Sequence, residues 1–345
     1  VTVRRVVLDL RARAPVWRIG PHVEQQLVAA APAGWEVVVV STDTSSDGDG
    51  GLVPSAELLE AVSMAEVYFG FGITPQLFAA APKLRWVQSA TAGVGGSLFP
   101  AMRDSDVLLS NSAGIHAVPM SEYVIAGLLH YWRGLDVAID QQQRGQWGRD
   151  FYIAADTPVR EVGESTVVVV GAGGIGEAVA TRLAALGATC VGVRRRADAG
   201  VPAGFSRVVG PAGLDEALTA ADAVVMAAPG TAATTKLLSA DRLDLLPQHA
   251  VVVNVGRGST IDVAALAARL ADGRLRGAVL DVFDPEPLAA DSPLWQLRRA
   301  LITPHVSAVT VRRFWEREAA LFLENWSRYR TGEPLKNLVD KDAGY

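Results

Sequence analysis

Short β-branched runs alternate along the chain with alanine- and leucine-rich stretches, a pattern that predicts an α/β protein built on parallel sheets. Early strands are expected at Val3–Leu8, Glu36–Val40, Val67–Phe71, Leu84–Gln88 and Val107–Leu109, with helices at Val23–Ala31 and Glu57–Ala61. The polar stretch DTSSDGDGG, Asp43–Gly51, reads as a flexible surface loop. Ser121–Arg144 reads as one long helix, with Glu122 placing an acid in its first turn, long enough to join two domains. Asp150–Glu164 is polar and irregular. A second α/β series then begins with TVVVV, Thr166–Val170, and continues at Thr189–Val193, Ala223–Met226, Val251–Asn254, Ala278–Leu280 and Leu301–Thr303. A last helix, roughly Val309–Arg330, carries an apolar stripe at Phe314, Ala319, Leu321, Phe322 and Trp326, and is expected to pack on the first domain.

Bulk properties narrow the picture. A length of 345 residues suits two domains, and half of the residues are hydrophobic against a fifth charged, which suits folded cores. The net charge of -5 offers no basic footprint for nucleic acid and no polybasic segment for a membrane surface. Cys190 is the only cysteine, so neither an intrachain disulfide nor a cysteine metal cluster is possible. The first residues are too strand-like for a signal-peptide core, and no apolar run is long enough to cross a bilayer. A cytoplasmic protein is expected.

Gly171-Ala172-Gly173-Gly174-Ile175-Gly176 matches GxGxxG at the end of TVVVV and opens a helix expected at Ile175–Leu186. The first glycine permits a tight turn, the second lets a pyrophosphate approach the backbone, and the third, Gly176, lets helix and strand pack closely. The helix N-terminus then offers free N–H groups to phosphates. An ordinary glycine-rich turn is the competing reading. The next strand ends in Arg194-Arg195-Arg196, where NAD-binding versions carry an acid for the ribose 2′-hydroxyl. Guanidinium groups there favour NADP(H) over NAD(H), since they can grip a 2′-phosphate. Asp198 lies close by and weakens that preference.

Three later strands each run into a polar residue: Val251–Asn254 into Val255-Gly256-Arg257, Ala278–Leu280 into Asp281 and onward to Glu286, and Leu301–Thr303 into Pro304-His305. Ligands of open α/β sheets bind outside the carboxyl ends of strands, so neighbouring strands would converge these residues on one crevice. Singly, His305 could be a core histidine, Arg257 a capping cation and Glu286 a solvated loop acid.

Six segments in order, TAGVGGSLFP, NSAGIHAVPMSEYV, GAGGIG, NVGRGSTID, LDVFDPEPL and TPHVSA, make the chain resemble the D-isomer-specific 2-hydroxyacid dehydrogenase family from about Val67 to Trp326. Within that family it looks most like the NADP(H)-dependent glyoxylate/hydroxypyruvate reductases. The resemblance implies direct hydride transfer between a nicotinamide and a small 2-keto or 2-hydroxy acid, with no metal. Arg257 would hold the substrate carboxylate and polarise its keto oxygen, and His305 would be the acid/base. Glu286 would hydrogen-bond His305 and hold its imidazolium form, and Asp281 would contact the nicotinamide carboxamide. Ala228, Val255 and Gly256 would join the glycine turn and the arginines around the cofactor. Ala92, Gly93 and Val94 would present backbone N–H groups to the substrate carboxylate. His22, His116, His130 and His249 read as structural, His116 least firmly because it sits in the expected hinge.

The chain departs from many members at Gly95, where they carry an acid, and at Gly174, where they carry an arginine. The first departure bears on substrate identity. The resemblance also admits a nicotinamide-sensing corepressor as an alternative, and a phosphite-type donor remains open. A formate dehydrogenase is disfavoured, because that group carries glutamine at the position of Glu286. The expected organisation is two Rossmann-like domains with the active site in the cleft between them. The substrate domain, flavodoxin-like, takes residues 1–113 and 305–345, and the dinucleotide domain, 114–304, is inserted into it. Homodimers through the cofactor domain are common in the family and are expected here.

Overall fold

The computed structural model describes residues 3–45, 52–311 and 313–344, so positions 46–51 of the expected surface loop lie outside the described residues. The chain divides into two compact units, Val1–Ile115 with Val309–Tyr345, and His116–Ala308. Among the described residues no helix is long and apolar enough to cross a membrane.

The first unit holds five parallel strands: β1 (Arg4–Asp9), β2 (Trp35–Val39), β3 (Val67–Gly70), β4 (Trp86–Ser89) and β5 (Leu108–Ser110). Their order, β2-β1-β3-β4-β5, is the flavodoxin-like one. Successive residues of β3 feed opposite faces, Tyr68 one core and Phe69 the other, as a strand buried on both sides requires. The terminal helix, Phe314–Thr331, closes the Phe69 side, with Phe314, Ala319, Phe322 and Trp326 buried and Leu321 only half-buried. Phe322 stacks on Phe69 and Trp86, with ring centroids 4.5 and 5.5 Å away.

The second unit holds seven parallel strands: β6 (Thr166–Val170), β7 (Thr189–Val193), β8 (Arg207–Val209), β9 (Ala223–Met226), β10 (Val251–Asn254), β11 (Gly277–Leu280) and β12 (Ala300–Ile302). The order β12-β11-β10-β9-β6-β7-β8 is the dinucleotide-binding order with one strand added, and the strand order reverses between β6 and β9. Strand β8 was not expected. It is a three-residue edge strand whose pattern is too short to register.

Two expectations are corrected. The stretch 121–144 is not one helix but two, Ala117–Trp132 and Leu135–Gln143. Gly134 separates them at φ +66°, a left-handed conformation that glycine adopts without penalty. Ser121 and Glu122 lie inside the first helix rather than at its start, the Ser121 hydroxyl donating to the Val118 carbonyl 2.7 Å away. The second crossing between units also falls at Val309, beyond His305, because backbone bonds to Asp281 tie residues 305–307 to the second unit.

The helix Ala117–Trp132 lies unusually close on β11, and two glycines make room for it. A Cβ on Gly127 would come within 2.8 Å of Val279, and one on Gly277 within 2.4 Å of the buried Tyr131 ring. Gly277→Ala is therefore expected to cost about 1–3 kcal/mol by overpacking, lowering the melting temperature by several degrees. In a double-mutant cycle, Tyr131→Leu should absorb part of that loss. Additive losses in thermal melts would show that the ring does not press on the strand.

Candidate active site

The turn after β6 has the geometry its glycines foretell. Gly171 stands at φ +104°, and a Cβ on it would lie 2.7 Å from the backbone of Ala227 and Ala228 beyond β9. A Cβ on Gly176 would lie 2.2 Å from the Gly171 carbonyl, so only glycine lets the helix Gly174–Ala185 start so near the strand. A Cβ on Gly173, by contrast, would meet nothing within 4 Å, leaving this side of the backbone open to approach. Among the described residues, no acceptor takes the N–H groups of residues 172–176. Those donors surround the positive end of a twelve-residue helix at the sheet's switch point, a cradle that fits a dinucleotide pyrophosphate. Ile175 packs at the edge of the core beneath.

The expected partners of this turn divide. Ala228 and Val255 have side chains in the two hydrophobic cores, so only their backbones reach the rim. A Cβ on Gly256 would lie 2.7 Å from the Ala228 carbonyl, which packs the turns after β9 and β10 together. Arg194 is half-buried and its Nη2 donates to the Gly200 carbonyl at 2.5 Å, bracing the turn after β7. Arg195 and Arg196 are exposed.

The loops after β10, β11 and β12 meet through specific contacts. Buried Asn254 receives the Gly256 N–H on Oδ1 at 3.1 Å and donates from Nδ2 to the Arg257 carbonyl at 3.1 Å. Gly258 rests against the next loop so tightly that a Cβ would lie 2.0 Å from the Phe283 carbonyl carbon. The Phe283 N–H donates to Glu286 Oε1 at 2.8 Å, and Glu286 Oε2 lies 2.9 Å from His305 Nδ1. Arg257, exposed, has its side-chain stem beside Gly230 and donates from Nη1 to the Gly256 carbonyl at 2.7 Å. The sequence-predicted acid and histidine are thus directly bonded, and the arginine's loop packs on theirs.

Asp281, expected beside the cofactor, is fully buried and occupied otherwise. Its Oδ1 accepts from the Thr303 hydroxyl at 2.5 Å and the Val306 N–H at 2.8 Å, and its Oδ2 from the Ser307 N–H at 2.9 Å. Its carbonyl takes the His305 N–H at 2.9 Å. This clamp holds His305 at φ +53°, a conformation few side-chain-bearing residues adopt. Because Thr303 gives its only hydrogen to Asp281, Tyr123, 2.6 Å away and pushed up to about 12 by burial, is the donor to Thr303. Sequence reading missed Asn254, Thr303 and Tyr123 as supports. A polar residue closing an otherwise apolar strand was the available signal for Asn254.

The loop after β4 belongs to the first unit. Thr91 donates its hydroxyl hydrogen to the Gly93 carbonyl at 2.7 Å, and Asn111 donates to the Ala92 carbonyl at 2.8 Å. Ala92 and Gly93 are exposed, whereas the Val94 side chain is buried in the core. Among the described residues, nothing accepts from the N–H groups of residues 92–94, which form a small donor nest. The remaining histidines have local explanations. His249 bonds Asp222 at 2.8 Å, His130 is half-buried with its pKa lowered mainly by that burial, and His116 and His22 lie at helix starts.

Comparison with known proteins agrees with this geometry. Residues 125–307 match the family model described as D-isomer specific 2-hydroxyacid dehydrogenase, NAD binding domain. The chain is 33% identical to a (S)-sulfolactate dehydrogenase of Chromohalobacter salexigens, over 68% of this chain and 74% of that one. It is 32% identical to a glyoxylate/hydroxypyruvate reductase A of Salmonella newport, over 76% and 82%. A crystal structure of an NADPH-dependent glyoxylate/hydroxypyruvate reductase from Sinorhizobium meliloti, in complex with NADP and sulfate, superposes with a TM-score of 0.77 at 28% identity, covering 99% of this chain and 100% of that one. With a dinucleotide-type sheet, its glycine turn and a family match over more than half its length, this chain belongs to the D-isomer specific 2-hydroxyacid dehydrogenases, NAD(P)-dependent oxidoreductases acting on CH–OH groups.

Proposed function

We propose that this protein reduces a small 2-keto acid of the glyoxylate or hydroxypyruvate type to the D-2-hydroxy acid, preferring NADP(H). The observation that carries the reading is the 2.9 Å pair of Glu286 and His305, set beside the Arg257 loop at neighbouring strand ends. A nicotinamide dinucleotide bound at the glycine turn would supply the hydride for the carbonyl carbon. The N–H groups of residues 172–176 hold its pyrophosphate. Arg257 binds the substrate carboxylate and draws charge from the keto oxygen, and the nest of N–H groups at residues 92–94 is a carboxylate donor in its own right. With Nδ1 turned to Glu286, His305 Nε2 gives its proton to that oxygen, and Glu286 stabilises the ring while it carries charge. Asp281 acts through the turn that carries His305 rather than on the cofactor.

The arginines after β7 support the cofactor preference, and the Sinorhizobium relative carries NADP. The named relatives are enzymes, which favours catalysis over a corepressor role. We also propose a homodimer. The segment that follows helix Ala117–Trp132 exposes Leu135, Ile139, Trp147 and Ile153, Trp147 at 95%, an apolar surface that a second copy would cover. Light scattering of the purified protein should give twice the chain mass, and Trp147→Glu should shift it toward the monomer. A monomer at micromolar concentration in the unaltered protein would count against it.

Activity is tested by following NADPH and NADH absorbance with glyoxylate, hydroxypyruvate and bulkier 2-keto acids, and NADP+ reduction with sulfolactate. Turnover with small 2-keto acids is expected, and no consumption with any acid would refute the reading. His305→Ala should lower kcat by ~10²–10⁴ while cofactor affinity, read by titration, stays unchanged. A variant retaining full turnover would remove His305 from the chemistry. Replacing Arg194 and Arg195 together by alanine should raise KM for NADPH far more than for NADH. Equal losses would argue against a 2′-phosphate contact.

A further inference from the structure

Beneath the 91–96 loop, the first unit contains a chain of fully buried polar side chains. Trp86 Nε1 donates to Ser110 Oγ at 2.8 Å, and Ser110 donates to Gln88 Oε1 at 2.7 Å, which also accepts from Asn325 Nδ2 at 3.1 Å. Gln88 Nε2 donates to the Ser89 carbonyl at 3.2 Å, as does Ser112 Oγ at 2.8 Å. The chain ends on the helix Phe314–Thr331, where Glu318 Oε2 lies 2.7 Å from Ser112 Oγ. Glu318 is wholly buried, and its Oε1 has no partner.

The hydrogens decide the state of the acid. A carbonyl can only accept, so the single hydroxyl hydrogen of Ser112 belongs to Ser89, and Glu318 must then be the donor to Ser112. A carboxylate here would bury a charge with no cation beside it and one oxygen unpaired, whereas the neutral acid buries no charge and pairs the hydrogen it carries. Burial alone pushes its pKa up to about 8, opposed only by the Ser112 bond. The groups along this chain, Gln88 and Ser89 from β4, Ser110 from β5, Ser112 beyond it and Asn325 from the same helix, are all neutral. The neighbouring Arg317 donates to the Ile115 carbonyl at 3.1 Å.

Ser112 and Asn111 grip the strand-to-loop segment at three carbonyls: Ser89 through the Ser112 hydroxyl, Thr91 through the Ser112 N–H at 3.0 Å, and Ala92 through Asn111. With those carbonyls held inward, the N–H groups of residues 92–94 are left for a ligand. We propose that Glu318, held as a neutral acid, is a positioning residue that sets the 91–96 loop for the substrate carboxylate through Ser112. The inference rests on the substrate reading of that loop. When Glu318 ionises it becomes an acceptor, draws the Ser112 hydrogen away from Ser89, and loosens the loop.

The test compares wild type with Glu318→Gln, whose amide still donates but cannot ionise, and with Glu318→Leu, which cannot donate. With glyoxylate as substrate, the wild-type KM should rise above pH 8, approaching tenfold per pH unit, with kcat little changed. The glutamine variant should match wild type at pH 7 and lack that excess rise, while the leucine variant should show a raised KM at every pH. Parallel KM profiles for wild type and Glu318→Gln would overturn the proposal. Thermal melts give a readout independent of activity. The folded state keeps a proton that the unfolded carboxyl, with its ordinary value of 4.5, has released, so wild type should lose stability relative to the glutamine variant as pH rises from about 4.5 to 8 and level off above. A stability difference flat with pH would overturn the neutral acid. A wild-type chain that turns over no 2-keto acid would overturn the substrate reading, even if the melts show the neutral acid.

Discussion

The carboxylate of Asp281 takes hydrogens from the Thr303 hydroxyl and from the backbone of Val306 and Ser307, and its carbonyl takes one from His305. These bonds converge on a fully buried carboxylate, where hydrogen bonds to a charged group are strong and their loss is costly. They hold the turn that follows β12 against the end of β11, and so hold the imidazole beside Glu286 in a backbone conformation it would not choose alone. The rest of the candidate chemistry depends on that constraint. An acid/base must stand within hydrogen-bond reach of its target, and a turn free to relax would lose that reach before any change in the ring itself.

A second constraint is steric. The turns after β6, β9, β10 and β11 crowd together because glycine occupies the contact points: Gly171 and Gly256 against Ala228, and Gly258 against Phe283. Each would otherwise drive a Cβ into backbone, which cannot swing aside as a side-chain tip can. The parallel sheet brings these turns to one edge, and the missing side chains let them close on each other. The polar loops are therefore braced by their neighbours, consistent with sites that must keep their shape before a ligand arrives.

The first unit uses a different device. Its 91–96 loop is steadied from below by neutral hydrogen bonds running through β4, β5 and the terminal helix, all fully buried. Such a network is stable only while each hydrogen has one destination. It couples a helix near the end of the chain to a loop more than two hundred residues earlier.

From sequence, the strands other than β8 were legible to within a residue or two, and four strands of the second unit match their expected limits, whereas helices such as Leu214–Thr219 and Val263–Ala271 were not expected. The meeting of the strand-end loops was legible too, because parallel strands carry their following residues to one edge whatever the loops do. The bond between Glu286 and His305 needed only that rule. Hidden were features decided by distant neighbours. Gly134 breaks a continuous helical pattern, and β8 exists only because β7 offers it an edge. The side chains of Ala228 and Val255 turn into the core, and Asp281 serves a turn twenty-two residues on. The same holds for Tyr123, Thr303 and Glu318, whose partners lie up to 206 residues away. Local pattern determines which segments become strands and which residues follow them, but the destination of a buried hydrogen depends on what tertiary packing places within 3 Å.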